Sequence, residues 1–422
     1  MNFNSLLSHP QIAAGIASAG YSNPTPIQAK AIPKIMQGHD LVGLAQTGTG
    51  KTAAFVLPIL HRLVHGRRRG LKALVIVPTR ELAEQINQAI EILGAKTGIK
   101  SMTVYGGVGF QQQVQLLKSA EIVVACPGRL IDHIQRKTVD LSSVEVLVLD
   151  EADQMFDMGF LPDIRRILKY LPKTNRQTLL FSATMPDQIR HLADEILKNP
   201  EKVQVAHDTP ADTVSHTFFP VAQHLKTALL LKLLGSERTD AVLIFTRTKH
   251  RAMRLGGKLA RLGYRSTSLQ GNLSQAQRQK AMNGFKSGEY QVLVATDIAA
   301  RGIDVADVSH VINFDMPSTP ETYIHRVGRT GRAERSGDAF TLFSDGEIQL
   351  VKAIRRTIKM PVEERTLEDF NYKTSAPITA SQRRQPDASR QSAGNTNSRQ
   401  NRREKRDFKW PSPRKPAMVS AR

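Results

Sequence analysis

Short, β-branched apolar runs recur along the chain, separated by helix-length amphipathic stretches. In the first half they are "DLVGLA" (40–45), "ALVIVP" (73–78), "MTVY" (102–105), "EIVVA" (121–125), "EVLVL" (145–149) and "TLLFSAT" (178–184). Runs that stay apolar throughout mark strands buried on both faces, so the pattern predicts a parallel sheet with helices on either side. A polar stretch with few strand or helix signals, 206–215, reads as a linker. The alternation restarts with "AVLIFT" (241–246), "STSLQ" (266–270), "QVLVAT" (291–296), "HVINFD" (310–315) and "AFTLF" (339–343). Two α/β domains of similar size are expected, 1–205 and 216–370, with no short-period repeat.

Residues 371–422 break the pattern. From Lys373 onward there are 13 Lys and Arg against 3 Asp and Glu, so +10 of the chain's +21 sits in its last 50 residues. Almost empty of Leu, Val and Ile, this segment cannot bury enough apolar surface to offset the entropy of ordering it, and a disordered basic tail is expected. The excess of 59 Lys and Arg over 38 Asp and Glu points to nucleic acid, with an anionic membrane as the weaker reading. One cysteine, Cys126, excludes an intrachain disulfide and any cysteine-cage zinc site. With no basic region leading into an apolar stretch at the N-terminus, and no apolar run near the ~20 residues of a spanning helix, a reduced, soluble, cytoplasmic protein is expected.

Against this basic background, "EVLVLDEADQMFD" (145–157) concentrates carboxylates. The stretch "AQTGTGKT" (45–52), comprising Ala45, Gln46, Thr47, Gly48, Thr49, Gly50, Lys51 and Thr52, supplies a reason. It follows a strand and opens a helix, the context of a phosphate-cradling loop. Its glycines let backbone N–H groups turn toward phosphate oxygens at a helix N-terminus. Lys51 is placed for the β/γ-phosphates, and the Thr52 hydroxyl for a magnesium shell. Ala45 departs from the glycine usual at the first position. Asp150 and Glu151 lie just past the carboxyl end of a strand, where open α/β sheets bind ligands. Asp150 is the candidate magnesium ligand, and Glu151 the candidate to orient and deprotonate the attacking water.

Further stretches complete a family pattern: "GYSNPTPIQ" (20–28), "PTREL" (78–82), "GG" (106–107), "SAT" (182–184), "TDIAARGID" (296–304) and "HRVGRTGR" (325–332). With "AQTGTGKT" and "DEAD" (150–153), they make the chain resemble a DEAD-box ATP-dependent RNA helicase over roughly residues 1 to 370. The segment before "PTPIQ" is most similar to the bacterial RhlE-like branch. The resemblance implies two RecA-like domains, each a mostly parallel sheet with helices on both faces, clamping ATP and RNA in one cleft. By position, Gln28 resembles the family's adenine-reading glutamine, Phe3 its adenine-stacking ring, and Asp304 the ligand of the ribose hydroxyls. Arg329 and Arg332 resemble arginine fingers, worth on the order of 10³–10⁵ in rate. Asp153 is expected to bond Ser182, Ala183 and Thr184, coupling ATP to strand separation, and His325 to link that motif to the RNA side.

The remaining matches look like readers of the RNA backbone: Thr79, Arg80, Gly106, Gly107, Pro127, Gly128, Arg129, Arg247, Arg278 and Thr296. Small residues, hydroxyls and guanidinium groups at strand ends suit phosphate and 2′-OH contact without base readout. Cys126 stands where the family usually has Thr, a weaker donor for phosphate. In the tail, Phe408 and Trp410 could stack on bases while Lys and Arg neutralise phosphates. The activity implied is an RNA-stimulated ATPase that separates short duplexes locally or remodels ribonucleoprotein, using ATP and Mg2+. Its partners would be RNA and ribosomal or RNA-decay proteins. Two alternatives share the phosphate-loop residues: a DNA-directed motor, and an RNA clamp that leaves duplexes paired.

Overall fold

The computed structural model describes residues 2–46, 48–66, 69–205, 214–236, 240–300, 308–331, 336–358 and 362–374. Thr47, Asp304, Arg332, most of the expected linker (206–213) and the basic tail from 375 onward lie outside the described residues.

Strands β1 (Leu41–Leu44), β2 (Ala73–Ile76), β3 (Ser101–Val104), β4 (Ile122–Ala125), β5 (Val146–Leu149), β6 (Gln177–Ser182) and β7 (Glu201–Gln204) form one sheet. A second contains β8 (Val214–Pro220), β9 (Val242–Phe245), β10 (Ser266–Leu269), β11 (Val292–Ala295), β12 (His310–Asn313), β13 (Gly337–Phe343) and β14 (Glu363–Glu364). Their orders are β3-β4-β2-β5-β6-β1-β7 and β10-β11-β9-β12-β13-β8-β14. Renumbered from its own first strand, the second order repeats the first, and all pairs are parallel. These are the tandem RecA-like lobes that the resemblance implies. Both lie within one compact body, Met1–Tyr372.

Every apolar run read from the sequence appears as a strand. In the first sheet Val75, Val124, Val148 and Phe181 face one core cluster, while Leu74, Val123, Leu147 and Leu180 face the other. Alternate side chains leave opposite faces of a strand, so burial on both sides requires an unbroken apolar run. The strands that match none of the runs read from the sequence are β7, β8 and β14. Of these, β7 and β14 are sheet edges, and β8 starts at Val214, inside the stretch expected as linker.

Strand order brings the chemistry together. Because β1 lies beside β6 and β6 beside β5, the ends carrying the phosphate loop, "SAT" and "DEAD" are neighbours. On the other side of β5, the adjacent strands β2, β4 and β3 carry "PTREL", "CPGR" and "GG" at their ends. No helix among the described residues is long and apolar enough to cross a membrane.

Buried polar groups tie the elements to one another. Asp40 accepts hydrogen bonds from the backbone N–H groups of Thr178 and Lys198, at 2.7 Å each, fastening β6 and the approach to β7 onto β1. In the second lobe His216 of β8 is buried, with Nδ1 2.8 Å from the Tyr323 hydroxyl. Burial lowers its pKa from 6.5 to about 4. Between those values the unfolded chain takes up a proton that the folded chain refuses. Stability is therefore fully present above pH 6.5 and declines as pH falls toward 4, by roughly 3 kcal/mol for a shift of this size. Melting temperatures measured across that window should fall less steeply for His216→Phe than for the unaltered chain, and equal slopes would remove His216 as the cause.

Candidate active site

The phosphate loop leaves β1 through Ala45, whose N–H donates to Ser182 O at 3.0 Å. Gly48 and Gly50 have φ of 90° and 91°, the left-handed region where a side chain is strained. A Cβ on Gly50 would also fall 2.5 Å from Gln28 Nε2. Gly50 caps the helix Lys51–His65, so the first free N–H groups of that helix face the loop. The Lys51 ammonium is buried and donates to Ala45 O at 2.9 Å. Thr49 Oγ1 donates to Gln46 O at 2.7 Å. Gln28, also buried, closes the loop from behind: Nε2 donates to Gly50 O, and Oε1 accepts from Thr25 N–H, both at 3.0 Å.

Phe3 lies at the start of the helix Phe3–Leu6. Only 4% exposed, it belongs to the core of the first lobe, and its ring packs 6.2 Å from Tyr21. Tyr21, 42% exposed, is the more open ring of the pair, and no sequence signal singled it out.

Asp150 ends β5 with 2% of its surface exposed and accepts from Glu151 N–H at 2.9 Å. Glu151 has φ 53°, a left-handed conformation rare for a side chain of this size, and caps the helix Ala152–Asp157. Burial pushes both carboxyls above their ordinary range, Glu151 up to about 7, against the opposing pull of Lys51. A divalent cation would offset the same burial cost. The Asp150 carboxylate and Thr52 hydroxyl are hard-oxygen donors of the kind Mg2+ takes. The residues present therefore fit that ion.

Asp153 is joined to β6 as expected. Its Oδ2 accepts from the N–H and Oγ1 of Thr184 at 2.9 and 3.0 Å, and its N–H donates to Ser182 Oγ at 3.2 Å. Ser182 Oγ donates in turn to Thr184 O at 2.7 Å. No hydrogen bond links Asp153 to Ala183 among those described. His325, from the second lobe, places Nε2 4.0 Å from Asp153 Oδ2.

That approach belongs to a wider meeting of the lobes. Gln154 of the first lobe and Phe245, Thr322, His325, Arg326 and Arg329 of the second line one pocket. Arg329 is buried, and its charge helps to hold the Glu151 carboxyl down. Arg326 went unassigned at the sequence level although it lies inside "HRVGRTGR". It is 2% exposed and donates to both Asp297 oxygens (2.5 and 2.7 Å), to Asn313 Oδ1 (3.0 Å) and to Asp315 O (2.7 Å). Its guanidinium also lies 4.9 Å above the Phe245 ring. A buried arginine with four such bonds fixes the helix Pro320–Val327 from which Arg329 follows.

The expected RNA readers divide into a clustered set and a bonded set. Gly107 has φ 89°, and a Cβ there would meet Arg80 Nη1 at 2.3 Å, so the Arg80 guanidinium lies directly on the "GG" turn. Arg129 joins it, with Nη2 3.9 Å from the corresponding point on Gly106. Thr79 caps the helix Arg80–Leu93 through Leu82 N–H. Pro127 opens the helix Pro127–Gln135, and Gly128 has open space beside it. Cys126 precedes them and makes no side-chain cap bond; burial pushes its thiol up to about 12, although part of the residue reaches the surface. Arg278 instead pairs across the lobes with Glu81, Nε to Oε1 at 2.6 Å. Arg247 lies 3.4 Å from Glu347, and Thr296 is buried. Glu81 was not anticipated, because nothing local to "PTREL" names a partner almost two hundred residues away.

Known proteins share this arrangement. The DEAD/DEAH box helicase family matches residues 25–192, and the helicase conserved C-terminal domain matches 225–334. The DEAD-box ATP-dependent RNA helicase RhpA of Helicobacter pylori is 43% identical over 364 residues, covering 86% of this chain and 73% of RhpA. CshA of Geobacillus kaustophilus, described in the same words, is 43% identical over 363 residues, with 86% and 77% covered. Among solved structures, Dbp5 of S. cerevisiae bound to RNA and ADP BeF3 is 30% identical with a TM-score of 0.76, covering 86% of this chain and 95% of that one. Likeness of this extent, across both lobes, makes the chain a member of the DEAD-box ATP-dependent RNA helicase family.

Proposed function

We propose that the chain hydrolyses ATP when RNA binding closes its two lobes, and that closure separates short duplexes locally or remodels ribonucleoprotein. The observation that carries this reading is the meeting of Glu151 and Asp153 from one lobe with Arg329 and His325 from the other. Neither lobe alone holds both a base for water and a guanidinium for the γ-phosphate. The solved Dbp5 complex with RNA and ADP BeF3 supports the same pair of ligands.

Within this reading Lys51 and the N–H groups of Gln46 to Thr52 bind the phosphates. Gln28 reads adenine, and Asp304 bonds the ribose. Glu151 orients the attacking water and takes its proton, while Arg329 and Arg332 face the charge that develops on the γ-phosphoryl group. Asp150 and Thr52 would hold Mg2+, which neutralises phosphate charge when bound. Arg80, Gly106, Gly107 and Arg129 form the RNA track of the first lobe, with Arg247, Arg278 and Thr296 on the second. We divide the lobes at 1–205 and 216–370, and assign the basic tail a tethering role on RNA. An RhlE-like identity, a cytoplasmic setting and ribosomal or RNA-decay partners complete the proposal; the RhlE-like identity rests on the segment before "PTPIQ".

ATP turnover with and without RNA tests the central step. The unaltered chain should be strongly RNA-stimulated. Glu151→Gln should lose on the order of 10²–10⁴ of that rate, the usual contribution of a general base. Arg329→Ala should lose on the order of 10³ or more while still binding ATP. Full turnover without RNA would defeat the closure scheme.

The glycine turn offers a separate test. Gly107→Ala should destabilise the chain by about 1–2 kcal/mol, since φ 89° disfavours a side chain, and should raise the RNA concentration needed for half-maximal turnover by displacing Arg80. Gly128→Ala, which meets nothing within 4 Å, should cost far less in chemical denaturation. Equal losses in the two would argue against the Arg80 contact.

A further inference from the structure

Beyond Arg129 the positive surface of the first lobe continues onto residues that no motif singles out. Phe110 begins the helix Phe110–Leu117, three residues after the "GG" turn. Its ring stacks on the buried His133, with centroids 4.3 Å apart and planes 10° from parallel. Two guanidinium groups gather on the same ring, Arg136 at 4.6 Å from the centroid and Arg129 at 5.7 Å.

The platform is held firmly from below. His133 places Nδ1 2.8 Å from Thr138 Oγ1 and Nε2 3.1 Å from Gln113 Oε1. Gln113 Nε2 donates to Tyr105 O at 3.1 Å, and the same Gln113 Oε1 accepts from Arg129 at 3.1 Å. Burial, followed by the charge of Arg129, holds His133 below the usual imidazole value, which favours an uncharged ring beneath the two cations.

The two arginines differ in what they have left to offer. Arg129 also donates to Val108 O (3.3 Å) and lies 3.6 Å from Asp132. Arg136 is exposed at the end of the helix Pro127–Gln135, and among the described residues its side chain has neither a hydrogen bond nor a carboxylate partner. A cation held over an aromatic face, with its N–H groups turned to no protein acceptor, suits an anion in solution. Arg80, Arg129, Phe110 and Arg136 follow one another without a break. A regularly charged polymer lying along the first two would reach the last.

We propose that Arg136, seated on Phe110, binds a backbone phosphate of RNA one step beyond the track of Arg80, Gly106, Gly107 and Arg129. The site deepens the RNA-dependent function proposed above and rests on that reading. Phe110, already covered by His133 and the guanidinium groups, fixes the position of the cation and does not itself stack on a base. The contact adds affinity without sequence preference.

The test uses the full chain, a uridine-only single-stranded RNA, and ATP turnover over a range of salt concentrations. Arg136→Ala should raise the RNA concentration for half-maximal turnover about two- to fivefold, the worth of one exposed cation contact. It should also make the log–log salt dependence of RNA affinity shallower by about 0.7, the loss of one phosphate contact on a single strand. Arg136→Lys should keep that salt slope while losing part of the affinity, because an ammonium lacks the planar fork. Phe110→Leu, which keeps an apolar anchor, should move affinity in the same direction as Arg136→Ala.

If the unaltered chain responds to RNA and Arg136→Ala matches it in both affinity and salt slope, the site is overturned while the wider function stands. If the unaltered chain shows no response to RNA, the wider function fails and this site with it. Loss of polyglutamate binding in Arg136→Ala, with RNA affinity unchanged, would assign the patch to an acidic protein and overturn the RNA site.

Discussion

Two carboxylates buried beside a single ammonium dominate the electrostatics of the first lobe. Asp150 and Glu151 are almost fully removed from water, and the charge opposing them within the lobe is that of Lys51. Charges in such surroundings are costly unless paired. Lys51 is held by the carbonyl of Ala45, and Ala45 by Ser182, so the opposing charges are fixed by backbone and not by flexible side chains. The strand order β5-β6-β1 is what brings them together. A phosphate chain with its counter-ion is a natural complement to such a cluster, and Arg329 from the other lobe is a second.

The two sheets share one strand order but differ in what they carry at the strand ends. In the first, the order separates two sets of loops on either side of β5, one acidic and phosphate-facing, the other arginine-rich. In the second, the corresponding loops carry Arg247, Asp297 and the helix that leads to Arg329. A duplicated scaffold has thus been given unequal halves, and the set proposed for catalysis is complete only when both contribute. The Arg278–Glu81 pair, nearly buried on both sides, adds a direct link between them.

Much of this was legible in the chain itself. Strands buried on both faces must be apolar throughout, so their runs stand out, and glycine-rich or acidic stretches at their ends locate the ligand side. Two edge strands give no such signal: β7 reads "EKVQ" and exposes alternate residues, while β14 is two glutamates. Contacts between distant segments were hidden for a similar reason. Arg326 stands beside assigned residues and looks like a solvated cation in one dimension, while Arg278 reads there as an RNA contact. Their partners Asp297, Asn313 and Glu81 become visible only once the sheets are closed.

In the role proposed for it, Gln28 serves loop and ligand together. A carboxamide has two N–H donors and two acceptor lone pairs. One donor is committed to Gly50 and one lone pair to Thr25, which leaves a single donor and a single acceptor. That remainder matches the Hoogsteen edge of a purine amine, with its ring nitrogen and exocyclic hydrogen. Glutamate at this position would lose every donor, and leucine the whole exchange. The half of the amide bound to the protein thus holds the other half in place, so that the base selection proposed for it requires no reorganisation of the glycine-rich loop.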